Sequence, residues 1–248
     1  MGFTVRLAKL PTRIISLVPS QTELLHYLGV EPIAQTIFCV HPVDKFKSAV
    51  KIGGTKKLNL DKIRALKPDL IIGNKEENSQ EEIEELKLDF PVWMSDVNTL
   101  ENAMEMITSL GILLGKKEEP VMLANSISDR FNRLLGTTQT LKGCIYLIWN
   151  EPFMAVGSNT FIHDMLGYAG FHNLLAHKDR YPVLAIEELA KLAPEVILLS
   201  TEPFPFKKEH QDRIQALCPK SEVRIVDGEM FSWYGSRLLE SAGYFKTL

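Results

Sequence analysis

Short apolar runs alternate with amphipathic stretches along the whole chain. Arg13–Pro19 (RIISLVP) is a continuous apolar run of strand length and predicts a buried strand. Ser20 with Glu23 three residues later reads as a capping box that opens a helix over 21–28, which Gly29 stops. Pro32–Phe38 predicts a second strand, and Cys39–Val43 leaves it as a loop. Gly53–Lys57 is a turn, Asn59 or Asp61 opens a helix that ends at Pro68, and Leu70–Gly73 is a third strand. Ser79–Leu88 reads as a charged surface helix and Val92–Asp96 as a fourth strand. Thr99–Leu114 reads as a helix with Ala103, Met106, Ile107 and Leu110 on one face. The stretch Lys116–Leu135 then predicts an amphipathic helix of about five turns. Val121, Ala124, Ile127, Phe131, Leu134 and Leu135 recur there at three- and four-residue steps, with Asp129, Arg130, Asn132 and Arg133 between them. Pro120 sits in its first turn and residues 136–138 end it. Beyond it, strands are expected at Cys144–Trp149, Phe153–Gly157, Val196–Thr201 and Val223–Asp227. Helices are expected at Phe161–Leu166, Ile186–Leu192, Glu209–Leu217 and Ser236–Phe245, with aromatic loops at 202–206 and 228–235. Strands alternating with helices predict an α/β fold with parallel sheets.

The pattern repeats. LDKIRALKPDLII (60–72) aligns without a gap to IEELAKLAPEVIL (186–198), so that Pro194 lies 126 positions after Pro68 and Glu187 lies 126 after Asp61. A second pair, residues 22–29 and 161–170, each an amphipathic helix closed by glycine, follows in the same order. Two matches in order predict two similar Rossmann-like lobes, 1–115 and 138–248, joined by a single linking helix at 116–137; one larger α/β domain is the alternative.

Composition narrows the class. A 45% hydrophobic fraction over 248 residues supports a real core, and a net charge of −3 gives no pointer to nucleic acid or an anionic membrane. Cys39, Cys144 and Cys218 are too few and too scattered for a disulfide framework or a zinc site, and Cys144 reads as a small core residue. The apolar residues 14–18 are too short for a signal core, and nowhere does an apolar run reach membrane-spanning length. A soluble chain without an export signal is expected.

In open parallel sheets, ligands sit beyond the C-terminal ends of the strands. Those ends carry aromatics here: Phe38 and His41 (with Cys39), Trp149 and Phe153, Phe204 and Phe206, and Trp233 with Tyr234. Facing aromatic rims suit a flat, partly apolar ligand; for each ring taken singly, loop packing is the plainer reading. His41 is the one candidate metal ligand, with Cys39 nearby; the other histidines are scattered and form no HExxH. Arg237 opens the last helix, where it can meet an anion or serve only as a surface residue. No phosphate loop, GxSxG or convergent acid–base set is present, so no enzyme is expected. Asp61 and Glu187 stand at equivalent helix starts. The helix dipole favours them there, and two such carboxylates also suit docking on basic residues of a two-fold partner.

RIISLVPSQTELLHYLG, NLDKIRALKPDLIIG, one long helix and EELAKLAPEVILLS together resemble the substrate-binding proteins of iron-complex and cobalamin ABC importers, the helical-backbone metal-receptor group. The resemblance implies two Rossmann-like lobes with a ligand cleft between them, a monomer, and delivery of the ligand to an ABC permease dimer. It implies a corrinoid such as cobalamin as ligand, then haem or a ferric siderophore, with no tightly bound cofactor. Phe38 falls where cobalamin-binding members carry a cleft aromatic, Tyr181 where they carry a tryptophan, and Thr55 replaces a further cleft tryptophan. Phe231–Arg237 resembles the C-terminal cleft loop, and Asp61 and Glu187 fall on the two acidic positions that meet permease arginines. The family location is periplasmic, whereas the N-terminus by itself reads as cytoplasmic. A chelatase-like enzyme or a sensor that kept the fold are the alternatives.

Overall fold

The computed structural model describes residues 5, 7–135 and 141–248. In chain order the first elements are β1 (Ile14–Ser16), α1 (Pro19–Tyr27), β2 (Ala34–Gln35), α2 (Val43–Ser48), β3 (Gly53–Gly54) and β4 (Lys57–Leu58). They are followed by α3 (Leu60–Leu66), β5 (Leu70–Asn74), α4 (Gln80–Lys87), β6 (Val92–Ser95), α5 (Leu100–Leu113) and α6 (Glu119–Leu135). Then come β7 (Lys142–Trp149), β8 (Phe153–Ala155), α7 (Phe161–Tyr168), β9 (Phe171–Asn173), β10 (Val183–Leu184) and α8 (Ile186–Leu192). The chain closes with β11 (Val196–Ser200), α9 (Lys208–Leu217), β12 (Glu222–Val226), α10 (Glu229–Ser232) and α11 (Leu238–Phe245). Two compact units result. The first takes residues 1–97, 101–126 and 233–237; the second takes 98–100, 127–232 and 238–248. Helix α6 runs from one unit into the other, and its expected end at 136–138 lies outside the described residues.

The first unit holds a parallel four-stranded sheet in the order β2-β1-β5-β6. Ile15, Leu17, Ile71, Leu24 and Ile63 are fully buried about it. The second unit's sheet runs β10-β8-β7-β11-β12, with β9 beside the start of β7. Its core packs Ile145, Leu147, Ile197, Leu199, Leu189 and Ile214. The repeat is a structural one. In each half a seven-residue helix ends on a left-handed residue, Lys67 (φ 46) or Ala193 (φ 43), and a proline prevents continuation into the five-residue strand. The acidic residue after that proline caps the neighbouring strand. Asp69 accepts from Thr12 N and Arg13 N (2.9 and 2.7 Å), and Glu195 accepts from Gly143 N (2.7 Å). Burial alone would raise the Asp69 carboxyl; the bonds from Thr12 and Arg13 outweigh it and hold the group below its ordinary value.

Several expectations need correction. Helix α1 starts two residues earlier than the capping box implied. Val18 is its N-cap, Pro19 fills the first turn, and Ser20 is buried inside the helix. Glu23 is thereby released for another partner. The second strand is only two residues long, because beyond Gln35 the chain turns to the β3–β4 hairpin, where Ile37 N donates to Gly53 O. Helix α2 was not expected, and its first residue, Val43, fell in the expected loop; it buries none of its residues and so shows no apolar period. The second sheet is mixed, not purely parallel: β8 pairs antiparallel with both β7 and β10. Asn150–Pro152 is far too short for the crossover that a parallel pair needs. On α6, Ala124, Ile127, Phe131 and Leu134 are buried as expected, but Val121 is 46% exposed and Leu123 takes its place. At 100° per residue Val121 points about 120° away from Ile127, and Leu123 only about 40°. The last helix starts at Leu238, after the segment 233–237 has returned to the first unit.

Among the described residues, no helix is long and apolar enough to cross a membrane. All three cysteines are free and buried.

Candidate functional site

Parallel pairing sets the C-terminal ends of β1, β5 and β6 at one edge of the first unit. A buried amide network organises that edge. Gln21 Nε2 donates to Ser95 Oγ (2.6 Å), and Asn74 Nδ2 donates to the same oxygen (2.9 Å). Asn74 Oδ1 accepts from Glu76 N (2.8 Å) in an Asx turn, which presents Glu77. Asn78 bonds Asn74 N through Oδ1 (2.9 Å) and Thr55 O through Nδ2 (3.1 Å), so the hairpin turn is tied to the end of β5.

Residues 233–237 form a strap across this edge, joined to the first unit by three side chains. Trp233 is 6% exposed and meets the His41 ring edge-on at 5.4 Å. Tyr234 donates its phenol to Glu77 Oε1 (2.8 Å). Burial first, and then the Glu77 carboxylate, push that phenol well above its ordinary pKa, so it acts as a neutral donor. Arg237 donates through Nε and Nη2 to the two oxygens of Glu23 (3.2 and 2.5 Å), and its guanidinium lies 5.1 Å from the Trp233 ring centre. Gly235 has φ +149, and a Cβ there would stand 3.2 Å from Ser20 O, so the strap passes close over the start of α1.

Phe38 stands apart from the strap's ring cluster. It is 54% exposed, and its ring lies against Gly54, with Cε2 3.1 Å from where a Cβ would stand. Cys39, expected beside it as a ligand residue, is fully buried: Thr22 Oγ1 donates to its sulfur (3.0 Å) and burial raises its thiol pKa. The turn bond from Cys39 N to Thr36 O folds this side chain inward, and the residue drops out of the candidate surface.

In the second unit, β7, β11 and β12 end together. Trp149 is 40% exposed there and packs edge-on against Phe204 (5.7 Å), which in turn contacts Phe206 (4.9 Å) and His210 (5.1 Å). Lys207 N donates to His210 Nδ1 (2.9 Å), which fixes this ring at the end of the cluster. Phe153 is buried under Arg213, which bonds Glu151 (2.8 Å) and the side-chain oxygen of Asn150. A hollow of ≈ 270 Å³ lies beside Phe153, between Glu151, Leu184 and Arg213. A second, of ≈ 620 Å³, is lined by Glu202, Asp227 and Glu229. Tyr181 is half-buried. Pro182 O accepts from Ala155 N, which sets Tyr181 further along the β8 edge than the Trp149 loop. Asp61 and Glu187 are both exposed, each in the first turn of its helix; Asp61 has Arg64 at 3.8 Å. Among the described residues, no group of three or more His, Cys, Asp or Glu is placed to hold a metal ion.

Glu23, Glu77 and Arg213 were not among the expected site residues. The Asx turn at Asn74 was open to local reading; the partners of Arg237 and Tyr234 lie 214 and 157 positions away and leave no local signal.

The sequence profile described as periplasmic binding protein matches residues 14–217. The chain belongs to this family. A vitamin B12-binding protein of Pectobacterium carotovorum subsp. carotovorum is 24% identical over 247 residues, covering 94% of the chain and 86% of that protein. An ABC transporter substrate-binding lipoprotein of Bacillus subtilis, YvrC, is 24% identical, covering 95% of the chain and 79% of that protein. Among solved structures, a periplasmic haem-binding protein from Pseudomonas aeruginosa superimposes with a TM-score of 0.84 at 20% identity, covering 96% of the chain and 92% of that one. The two-unit α/β fold, with one helix running from the first unit into the second, is that of these periplasmic binding proteins.

Proposed function

We propose that this periplasmic binding protein is the substrate-binding component of an ABC importer and carries a metal-containing macrocycle. A corrinoid is the first choice, then haem, with a ferric siderophore last. The ligand is cargo, not a cofactor, and no chemistry is done on it. The observation that carries the reading is the pairing of exposed rings with neutralised guanidiniums. Phe38, in the turn after β2, and Trp149, at the end of β7, offer open aromatic faces, while Arg237 and Arg213 each hold a carboxylate, Glu23 and Glu151. Stacking on a large apolar ring system is available, and at Arg237 and Arg213 the positive charge that would favour a multiply charged siderophore is already met by a carboxylate. The carboxylates Glu202, Asp227 and Glu229 on the second unit work in the same direction. The B12-binding and haem-binding relatives support the ligand class. Phe38, Trp149 and Tyr181 supply apolar contact in this reading, whereas Phe153 is covered by Arg213; His41 is the candidate axial ligand, and Trp233, Tyr234 and Arg237 hold the strap.

Isothermal titration against cobalamin, dicyanocobinamide, haem and a ferric catecholate tests it. One-to-one binding of a corrinoid, tighter than that of the catecholate, is expected; no heat with any of the four would sink the macrocycle reading. Asp61 and Glu187, exposed at equivalent positions of the repeat, are the proposed contacts to permease arginines. Asp61→Lys combined with Glu187→Lys should leave ligand affinity within about twofold, since surface changes remote from a site rarely exceed ~0.5 kcal/mol. The same double variant should abolish stimulation of the importer's ATPase. Undiminished stimulation would remove the two residues from the docking surface.

A further inference from the structure

The Glu23–Arg237 pair is unusual in its surroundings. Most ion pairs among the described residues lie on the surface, whereas here the two side chains are 20% and 11% exposed. The guanidinium is held at two points by one carboxylate and lies near the face of Trp233, whose edge meets His41. A carboxylate brought up to this guanidinium from a ligand would have to share it with Glu23 and stand beside a second negative charge. That is unfavourable where water is largely excluded. Holding the strap does not by itself require this arrangement, because Tyr234 with Glu77 and the close passage at Gly235 already fasten it.

We propose that Glu23 is a specificity-determining residue: by cancelling the charge of Arg237 it makes this edge of the first unit accept ligands with an uncharged periphery and refuse those edged with carboxylates or catecholates. The inference rests on the macrocycle-binding reading above. Glu23 acts through Arg237, so it is a positioning residue, and its effect falls on selectivity more than on stability.

The test compares wild type, Glu23→Gln and the double variant Glu23→Gln/Arg237→Gln, each confirmed folded by circular dichroism. Each is titrated with dicyanocobinamide, whose periphery is amide, with haem, which carries two propionates, and with a ferric tricatecholate. Glutamine keeps the shape of glutamate and one acceptor oxygen but leaves the guanidinium positively charged. In Glu23→Gln, haem and the catecholate should bind roughly tenfold tighter, with a steeper loss on raising salt, while cobinamide moves by less than about threefold. In the double variant the gain should vanish. An unchanged haem-to-cobinamide ratio in Glu23→Gln overturns the proposal, as does a gain that survives loss of Arg237. So does a wild type that prefers the tricatecholate. If the wild type binds none of the three, the macrocycle reading falls. Haem binding gained by Glu23→Gln and lost again in the double variant would then still uphold the charge assignment, and no gain would overturn both.

Discussion

Phe131→Ala should lower the unfolding free energy by about 3–5 kcal/mol, the range for deleting a fully buried aromatic ring. Phe131 is 0% exposed on α6, and its ring packs edge-on against Tyr168 (5.1 Å) and Phe245 (6.0 Å) within the second unit. The substitution removes both aromatic contacts and leaves a cavity that helices on either side can close only in part. Domains of this size hold ~5–15 kcal/mol in total, so the loss should be visible as a large fall in denaturation midpoint. Val121→Ala, on the exposed side of the same helix, is the control and should stay within about 0.5 kcal/mol. Equal losses in the two variants would mean that the buried face of α6 has been assigned wrongly.

Trp149→Ala should weaken binding of dicyanocobinamide by about ten- to a hundredfold, the effect of removing an aromatic anchor from a binding surface. Phe38→Ala should weaken it by a smaller factor. Both rings are exposed, 40% and 54%, so their removal exposes little core and the melting temperature should hardly move. Trp233 is a poorer probe. At 6% exposure, between His41 and Arg237, its loss would disturb the strap as well as any ligand contact. The effect of Trp149→Ala should be insensitive to salt, because stacking on an apolar ring system carries little net charge. Unchanged affinity in both variants would take the open aromatic faces out of the binding surface and leave shape alone to explain it.

The two predictions draw on different kinds of information. The burial of Phe131 follows from the three- and four-residue spacing on α6. The same arithmetic places Leu123, not Val121, on that face, so this correction was open to a closer reading of the helix. The antiparallel return from β7 to β8 was open too, since three residues cannot make a crossover. The exposure of Trp149 needed more. That it ends a strand is visible from the apolar run before it. That it stays exposed while Phe153, four residues on, is buried under Arg213 depends on α9 packing beside it.

By itself the sequence determined the alternation of strands and helices, the repeat that returns after 126 positions, the linking helix, and the aromatic residues at strand ends. Each of these is local. Hydrophobic period, a proline after a left-handed cap and a short loop act over a few residues, so a few residues reveal them. Only the tertiary structure decided that Cys39 turns into the core, that residues 233–237 return to the first unit, and that Glu23 leaves its helix start to hold Arg237. Those outcomes join positions up to 214 apart. A charged side chain in a sequence carries no mark of which distant partner will satisfy it; that is settled when the sheet's strand order brings the two chain segments to the same edge.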